Sequence, residues 1–234
     1  MAKIQAGRGW LVEGPDAGVE RVPGLWNSIA SATTRAHTPN CTWPYSGRAA
    51  SSVPRSPWIN RWFRRADAAE RRWCLRLNRT GARPGARRLF ATVSRLGDGV
   101  FWYALLAILP LAFGRPGFRV SVQLGATALV GVLVYLVLKT RLVRERPYIT
   151  HLGVEAHVLP LDRYSFPSGH ALHAVCFTLL TVPHYPWLAL VLVPFTALVA
   201  ASRVMLGLHY PSDVLVGGAI GALLAGAAYS IAPV

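Results

Sequence analysis

The chain has 234 residues, of which 53% are hydrophobic and 15% are charged, and its formal net charge is +15. Soluble globular domains carry about 25% charged residues, so this composition is typical of a membrane protein. Residues 1–98 hold 17 Lys and Arg against 6 Asp and Glu, whereas residues 99–234 hold 8 against 4 within long apolar runs. That distribution disfavours a nucleic-acid-binding protein and fits a basic segment beside a lipid bilayer.

The N-terminal part of the chain differs from the rest. Residues 1–57 are rich in Gly, Pro, Ser and Thr without a sustained apolar period, which predicts a disordered, basic tail. Residues 58–88 predict an amphipathic helix and a linker, with an arginine face opposite an apolar stripe of Ile59, Trp62, Phe63, Ala66, Ala69, Trp73 and Leu77. This pattern favours an interfacial helix on an anionic lipid surface, and packing against a protein neighbour is the alternative.

Residues 89–234 predict an all-α, polytopic transmembrane helix bundle of about five spans. The apolar segments are Leu89–Phe113, Val120–Leu138, Ala171–Val182, Trp187–Ala201 and Val214–Val234. The second has 19 residues and no charge, about the length that crosses a bilayer. The last carries a small-residue face suited to close helix packing, formed by Gly217, Gly218, Gly221 and Gly226.

Two charged residues interrupt the first span near its start. Arg95 and Asp98 are three residues apart, so they can pair on a helix. We expect a structural contact at the start of the helix, and a buried pair near the functional site is the alternative.

Other charged and polar residues near the spans form three clusters, and such residues tend to be functional. The clusters are Lys139-x6-Arg146-Pro147, Pro167-Ser168-Gly169-His170 and Arg203-x5-His209-x3-Asp213. The second span ends where the third begins, and the fourth returns to the same face. All three clusters are therefore expected on one side of the membrane.

The basic residues of these clusters suit the binding of a phosphoryl group. Lys139, Arg146 and Arg203 can surround a dianion, with arginine giving forked contacts to its oxygens. Ser168 and Gly169 stand at a predicted helix N-terminus, where free N–H groups and the helix dipole favour an anion.

The histidines of the clusters suit nucleophilic and acid–base chemistry. His209 precedes Asp213 by four residues across a Tyr-Pro helix start, so the carboxylate can orient the imidazole of a nucleophile. His170 would face that nucleophile as the general acid for the leaving oxygen.

In order and spacing, the three clusters resemble the signature motifs of the type 2 phosphatidic acid phosphatase superfamily. That superfamily also includes vanadium haloperoxidases and bacterial acid phosphatases, and the resemblance covers roughly Arg95 to Val234. It implies that His209 forms a phosphohistidine and that Asp213 orients it. It also implies that His170 protonates the leaving group and then activates water. The implied phosphate-binding residues are Lys139, Arg146, Ser168, Gly169 and Arg203, with no metal and no cofactor.

The resemblance leads us to expect a phosphatase acting on a phosphorylated membrane lipid. The expected substrates are phosphomonoester or diphosphate head groups of the undecaprenyl diphosphate, phosphatidate or phosphatidylglycerol phosphate class, or a polyprenyl-linked sugar phosphate. A lipid phosphotransferase with the same intermediate and a non-catalytic polytopic membrane protein are the alternatives. A vanadium haloperoxidase is disfavoured because those relatives are soluble, and the sequence assigns no oligomeric state.

The expected location is the inner (plasma) membrane, crossed several times. Six-span members of the superfamily have a further transmembrane helix where this chain has its arginine-rich stretch, which is too charged to span. The positive-inside rule places the basic N-terminal region and the catalytic face in the cytoplasm, whereas analogy with six-span members implies the outer face.

Overall fold

The computed structural model describes residues 11–13, 19–21, 57–160 and 162–232, which fall into two units, Met1–Val53 and Pro54–Val234. In the first unit, β1 (Leu11–Glu13) pairs antiparallel with β2 (Val19–Arg21), and Val12 lies opposite Glu20. Apart from these strands and Pro57, the predicted disordered tail over residues 1–57 lies outside the described residues.

The described part of the second unit is built of helices. They are α1 (Pro57–Gly81), α2 (Pro84–Arg95), α3 (Phe101–Arg141), α4 (Pro147–Thr150), α5 (Gly169–Thr181), α6 (Ala189–Met205) and α7 (Pro211–Ile231). A five-residue π-helix, Leu96–Val100, joins α2 to α3, and a 3-10 turn, Pro186–Leu188, precedes α6. The predicted all-α architecture is confirmed for this unit.

Three stretches are long and apolar enough to cross a membrane, namely Pro84–Arg141, Pro186–Met205 and Pro211–Ile231, and α5 is a shorter apolar helix. The first stretch reverses direction at Gly114, where φ is +61°. The Ser121 hydroxyl consequently donates to the Leu106 carbonyl at 2.9 Å, although 15 residues of straight helix would span roughly 22 Å. Pro84–Arg141 thus supplies two antiparallel segments, as predicted from the break before Val120.

Helix α5 packs closely against α7. Its Leu172, Ala174 and Leu180 have no exposed surface. A Cβ atom added to Gly217 would lie 2.4 Å from the Ser168 carbonyl oxygen, and one added to Gly221 would lie 2.2 Å from that of Leu172. The predicted small-residue face is therefore confirmed at these two glycines, where a larger residue would push the helices apart.

Helix α1 packs across one end of the bundle. Its Phe63, Cys74 and Asn78 are buried, and the Asn78 amide donates to the carbonyls of Glu155 at 2.9 Å and Met205 at 3.2 Å. The helix is amphipathic, as predicted, but its protein-facing side includes only Phe63 of the predicted stripe, together with Cys74 and Asn78 outside it. Two stripe tryptophans remain uncovered by the described residues: Trp62 is 67% exposed and Trp73 is 58% exposed.

Candidate active site

Residues from all three predicted clusters meet at the end of the bundle that α1 covers. A cavity of about 410 Å³ lies there, between the π-helix, the end of α3, the start of α5 and the loop after α6. Among the residues predicted for the site, those lining the cavity are Lys139, Arg146, Gly169, His170, Arg203 and His209. The cavity is therefore rich in cations and holds both predicted histidines.

The start of α7 places the predicted nucleophile. Pro211 occupies the first helical position, where its missing N–H costs nothing, and the Asp213 carboxylate accepts a 2.9 Å hydrogen bond from the Tyr210 backbone N–H. Gly207, with φ of +75°, turns the chain sharply after α6. Together these features carry His209 into the cavity wall, where it is only 3% exposed.

The surroundings of His209 favour its neutral form. Its Nε2 lies 3.3 Å from Nη1 of Arg146, and its Nδ1 lies 3.7 Å from Oδ2 of Asp213, beyond hydrogen-bond length. Burial, reinforced by the positive charges of Arg146 and Arg203, holds the pKa of His209 well below its ordinary value. A neutral imidazole keeps the lone pair that a nucleophile requires.

The Asp213 carboxylate is fully buried and is shared with a residue that the sequence analysis missed. Its Oδ1 accepts a 2.6 Å hydrogen bond from Nη1 of Arg144. The guanidinium of Arg144 also lies 2.8 Å from Asp67 and 3.4 Å from Glu70, both on α1. Arg144 thus joins α1 to the start of α7 behind His209.

Lys139 and Arg146 converge on a second residue that the sequence analysis missed, Asp162. Its Oδ2 lies 2.5 Å from Nζ of Lys139, and its Oδ1 lies 3.0 Å from Nη2 of Arg146. Burial would raise the pKa of Asp162, but the Lys139 hydrogen bond and the Arg146 charge lower it overall, so the carboxylate is ionised at neutral pH. The Asp162 carboxylate therefore already pairs with two of the predicted phosphate-binding residues, Lys139 and Arg146.

Replacing Asp162 with Asn should strengthen the binding of inorganic phosphate about tenfold. The carboxylate competes with phosphate for Lys139 and Arg146, and one charge-assisted contact contributes on the order of 1.5 kcal/mol. Isothermal titration calorimetry of the detergent-solubilised protein measures this, with Glu145→Gln, which removes an exposed carboxylate paired with Arg163, as the control. Weaker phosphate binding by the Asp162 variant would instead mean that Asp162 orients the two cations.

Arg203 reaches the cavity from the end of α6. Its Nη1 donates to the Ser94 hydroxyl at 2.5 Å and lies 3.4 Å from Nε2 of His170. Its Nε is buried and has no hydrogen-bond partner among the described residues. Because an unpaired buried donor is costly, a bound anion that supplied an acceptor would be stabilised here.

The expectation for Asp98 is wrong. Its carboxylate pairs with Nε2 of His170 across the cavity rather than with Arg95 on its own helix. The π-helix between α2 and α3 changes the helical register at this point, so the spacing of three residues no longer predicts the contact.

Ser168 lies behind the cavity wall. It is the N-cap of α5, its hydroxyl accepts a long 3.5 Å hydrogen bond from the Ala171 N–H, and it has no exposed surface. Its own N–H donates to the Asp213 carbonyl at 3.1 Å. Ser168 thus ties the starts of α5 and α7 together, while Gly169 presents the N-terminus of α5 to the cavity.

Comparison with known proteins identifies a family and several relatives. The sequence profile of the PAP2 superfamily matches residues 120–234. A decaprenylphosphoryl-5-phosphoribose phosphatase of Mycobacterium tuberculosis is 35% identical over 142 residues, which cover 60% of this chain and 77% of the relative. An undecaprenyl-diphosphatase of Sulfolobus acidocaldarius is 29% identical over 141 residues, covering 57% and 64%.

A solved structure has a similar fold. The crystal structure of Aquifex aeolicus LpxE aligns with a TM-score of 0.60 at 24% sequence identity. The alignment covers 67% of this chain and 92% of that chain, so the two chains share a fold over the aligned part.

Proposed function

The chain belongs to the PAP2 superfamily, and from that membership we propose that it is an integral-membrane lipid phosphatase that needs no metal ion. In this proposal it hydrolyses a phosphomonoester or diphosphate head group through a phosphohistidine at His209. The observation that carries the proposal is a buried histidine next to Arg146 in a cavity that also holds Lys139, Arg203 and a second histidine. The names of the two relatives favour a polyprenyl-linked phosphate as the substrate.

In the first step, Nε2 of His209 attacks phosphorus and the bond from phosphorus to the lipid oxygen breaks. Arg146, whose Nη1 lies 3.3 Å from that nitrogen, is placed to bind an oxygen of the same phosphoryl group. Lys139 and Arg203 neutralise the charge on its other oxygens, which supports a transition state with dispersed negative charge. His170 gives its proton to the leaving lipid oxygen.

In the second step, water hydrolyses the phosphohistidine. His170, now neutral, takes a proton from the water as its oxygen attacks phosphorus, and the bond from phosphorus to Nε2 of His209 breaks. Inorganic phosphate leaves, His209 is neutral again, and His170 has regained the proton that it gave up. No external proton donor or redox partner is needed.

An amphiphilic substrate suits the borders of the cavity. Besides polar residues, the cavity is lined by apolar ones, namely Ala91, Val158, Leu159, Pro160 and Leu208. Leu159 is 82% exposed, so this border opens outward and offers a path for a hydrocarbon chain.

The apolar helices and α1 support a proposed membrane placement. We place the bundle in the inner membrane as a multi-pass protein, with α1 at the surface on the catalytic side. The exposed Trp62 and Trp73 would enter the interfacial layer, and the arginines of α1 would attract anionic lipids.

Phosphate release from a panel of lipid phosphates tests the proposed function. The purified protein in detergent should release phosphate in the presence of EDTA, fastest from polyprenyl phosphates or diphosphates. Transfer to an added lipid or sugar alcohol, without free phosphate, would indicate the phosphotransferase instead. A folded protein that releases and transfers nothing, or whose activity EDTA abolishes, would contradict the proposal.

A further inference from the structure

We propose that Asp98 is the positioning residue for His170. By accepting a hydrogen bond from Nε2, it leaves Nδ1 as the nitrogen that carries out both proton transfers. This inference rests on the proposed phosphatase function and extends it. The site then has a separate carboxylate for each histidine, Asp213 behind His209 and Asp98 beside His170.

The local backbone brings Asp98 to His170. Asp98 lies in the π-helix between two glycines, and Gly99 has φ of +143°, which strains any other residue. A Cβ added to Gly97 would lie 3.1 Å from Val199 and 3.6 Å from the His170 ring. The glycines therefore allow this turn to approach the start of α5, and π-helical turns of this kind are frequent at functional sites.

The groups around Nε2 of His170 determine which ring nitrogen carries the resting proton. The Asp98 carboxylate can only accept a hydrogen bond, whereas Arg203, 3.4 Å away, can only donate one. The contact with Asp98 is the shorter of the two, so Nε2 carries a proton and donates it to Asp98. No hydrogen bond joins Nδ1 to any of the described residues, and the proposal assigns this nitrogen to substrate and water.

This arrangement determines which nitrogen of His170 gives and takes each proton. In the imidazolium form both ring nitrogens carry a proton, and Nδ1 gives its proton to the leaving lipid oxygen. The neutral ring keeps its proton on Nε2, where it is hydrogen-bonded to Asp98, and Nδ1 then takes a proton from the attacking water. Asp98 holds the ring in one orientation through both steps and is never itself protonated, as for the carboxylate of a catalytic triad.

The leaving group offers a test that distinguishes positioning from general structural support. Dodecyl phosphate has a poor leaving group that must be protonated, whereas 2-nitro-4-dodecylphenyl phosphate has a similar chain and a leaving group that needs little help. For Asp98→Asn, kcat/KM should fall about 100-fold with dodecyl phosphate, the size of a general-acid effect, and less than about threefold with the nitrophenyl compound. The ratio of the two values is independent of how much of the variant is folded.

In Asp98→Glu, which keeps the carboxylate, the ratio of kcat/KM for dodecyl phosphate to kcat/KM for the nitrophenyl compound should return part of the way to its original value. The exposed-site variant Glu145→Gln should leave this ratio unchanged. Equal losses with both substrates in Asp98→Asn would overturn the inference and leave the phosphatase function standing. If the unmodified protein releases phosphate neither from these two substrates nor from the panel of lipid phosphates, the phosphatase function is contradicted, and the inference with it.

Discussion

Replacing His209 with Ala should abolish phosphate release, lowering kcat at least about 10⁴-fold. The variant lacks the nitrogen that forms the covalent intermediate, and loss of a nucleophile in other covalent enzymes costs factors of this size or more. The remaining cations can still bind the phosphoryl group, so KM should change much less than kcat. Single-turnover phosphate release in detergent measures both effects.

The matched control for His209→Ala is His184→Ala. His184 follows α5 at the end of the bundle opposite the cavity and does not line it. Its replacement should leave kcat within about a factor of two, in line with substitutions away from a functional site. Near-normal turnover by the His209 variant would exclude this residue as the nucleophile.

Replacing Arg144 with Met should destabilise the protein by about 3–5 kcal/mol and strongly reduce activity. Arg144 is 2% exposed, and its removal leaves the carboxylates of Asp213, Asp67 and Glu70 without their shared cation. Removing one partner of a buried ion network costs this much because uncompensated charges stay buried. Thermal unfolding in detergent, read from tryptophan fluorescence, should show a clear decrease in Tm.

Arg163→Met is the control for this effect. Arg163 pairs with Glu145 at 2.8 Å, but the two side chains are 54% and 37% exposed. Exposed ion pairs contribute about 0–1 kcal/mol, so Tm should hardly move. Equal decreases in Tm for the two variants would show that the buried ion pairs of Arg144 stabilise the protein no more than the exposed pair of Arg163.

Much of the fold could be predicted because apolar runs and their breaks are local features. The break between the first two spans, the small-residue face of α7 and the start of α7 at Pro211 can all be read from neighbouring residues. The packing of α1 could not, because an amphipathic stripe has the same pattern whether it contacts lipid or protein. Only tertiary contacts, such as those of Asn78 with Glu155 and Met205, distinguish the two.

The same limit applies to the site. Two of its carboxylate contacts join residues far apart in the chain, Asp98 with His170 and Asp162 with Lys139, so local spacing could not find them. For Arg144 a local signal existed. Pro147 disfavours helix at Arg146, and in an extended segment residues two apart lie on the same side, so Arg144 shares the buried side of Arg146.

The most direct test of nucleophilic catalysis by His209 is to trap the covalent intermediate. The purified protein, mixed with an excess of a substrate that it hydrolyses and quenched in alkaline detergent, should gain the mass of one phosphoryl group. Peptide mass spectrometry should place that group on His209, and the His209→Ala variant should gain none. Turnover without any phosphorylated protein, or a phosphoryl group on another residue, would contradict a phosphohistidine at His209.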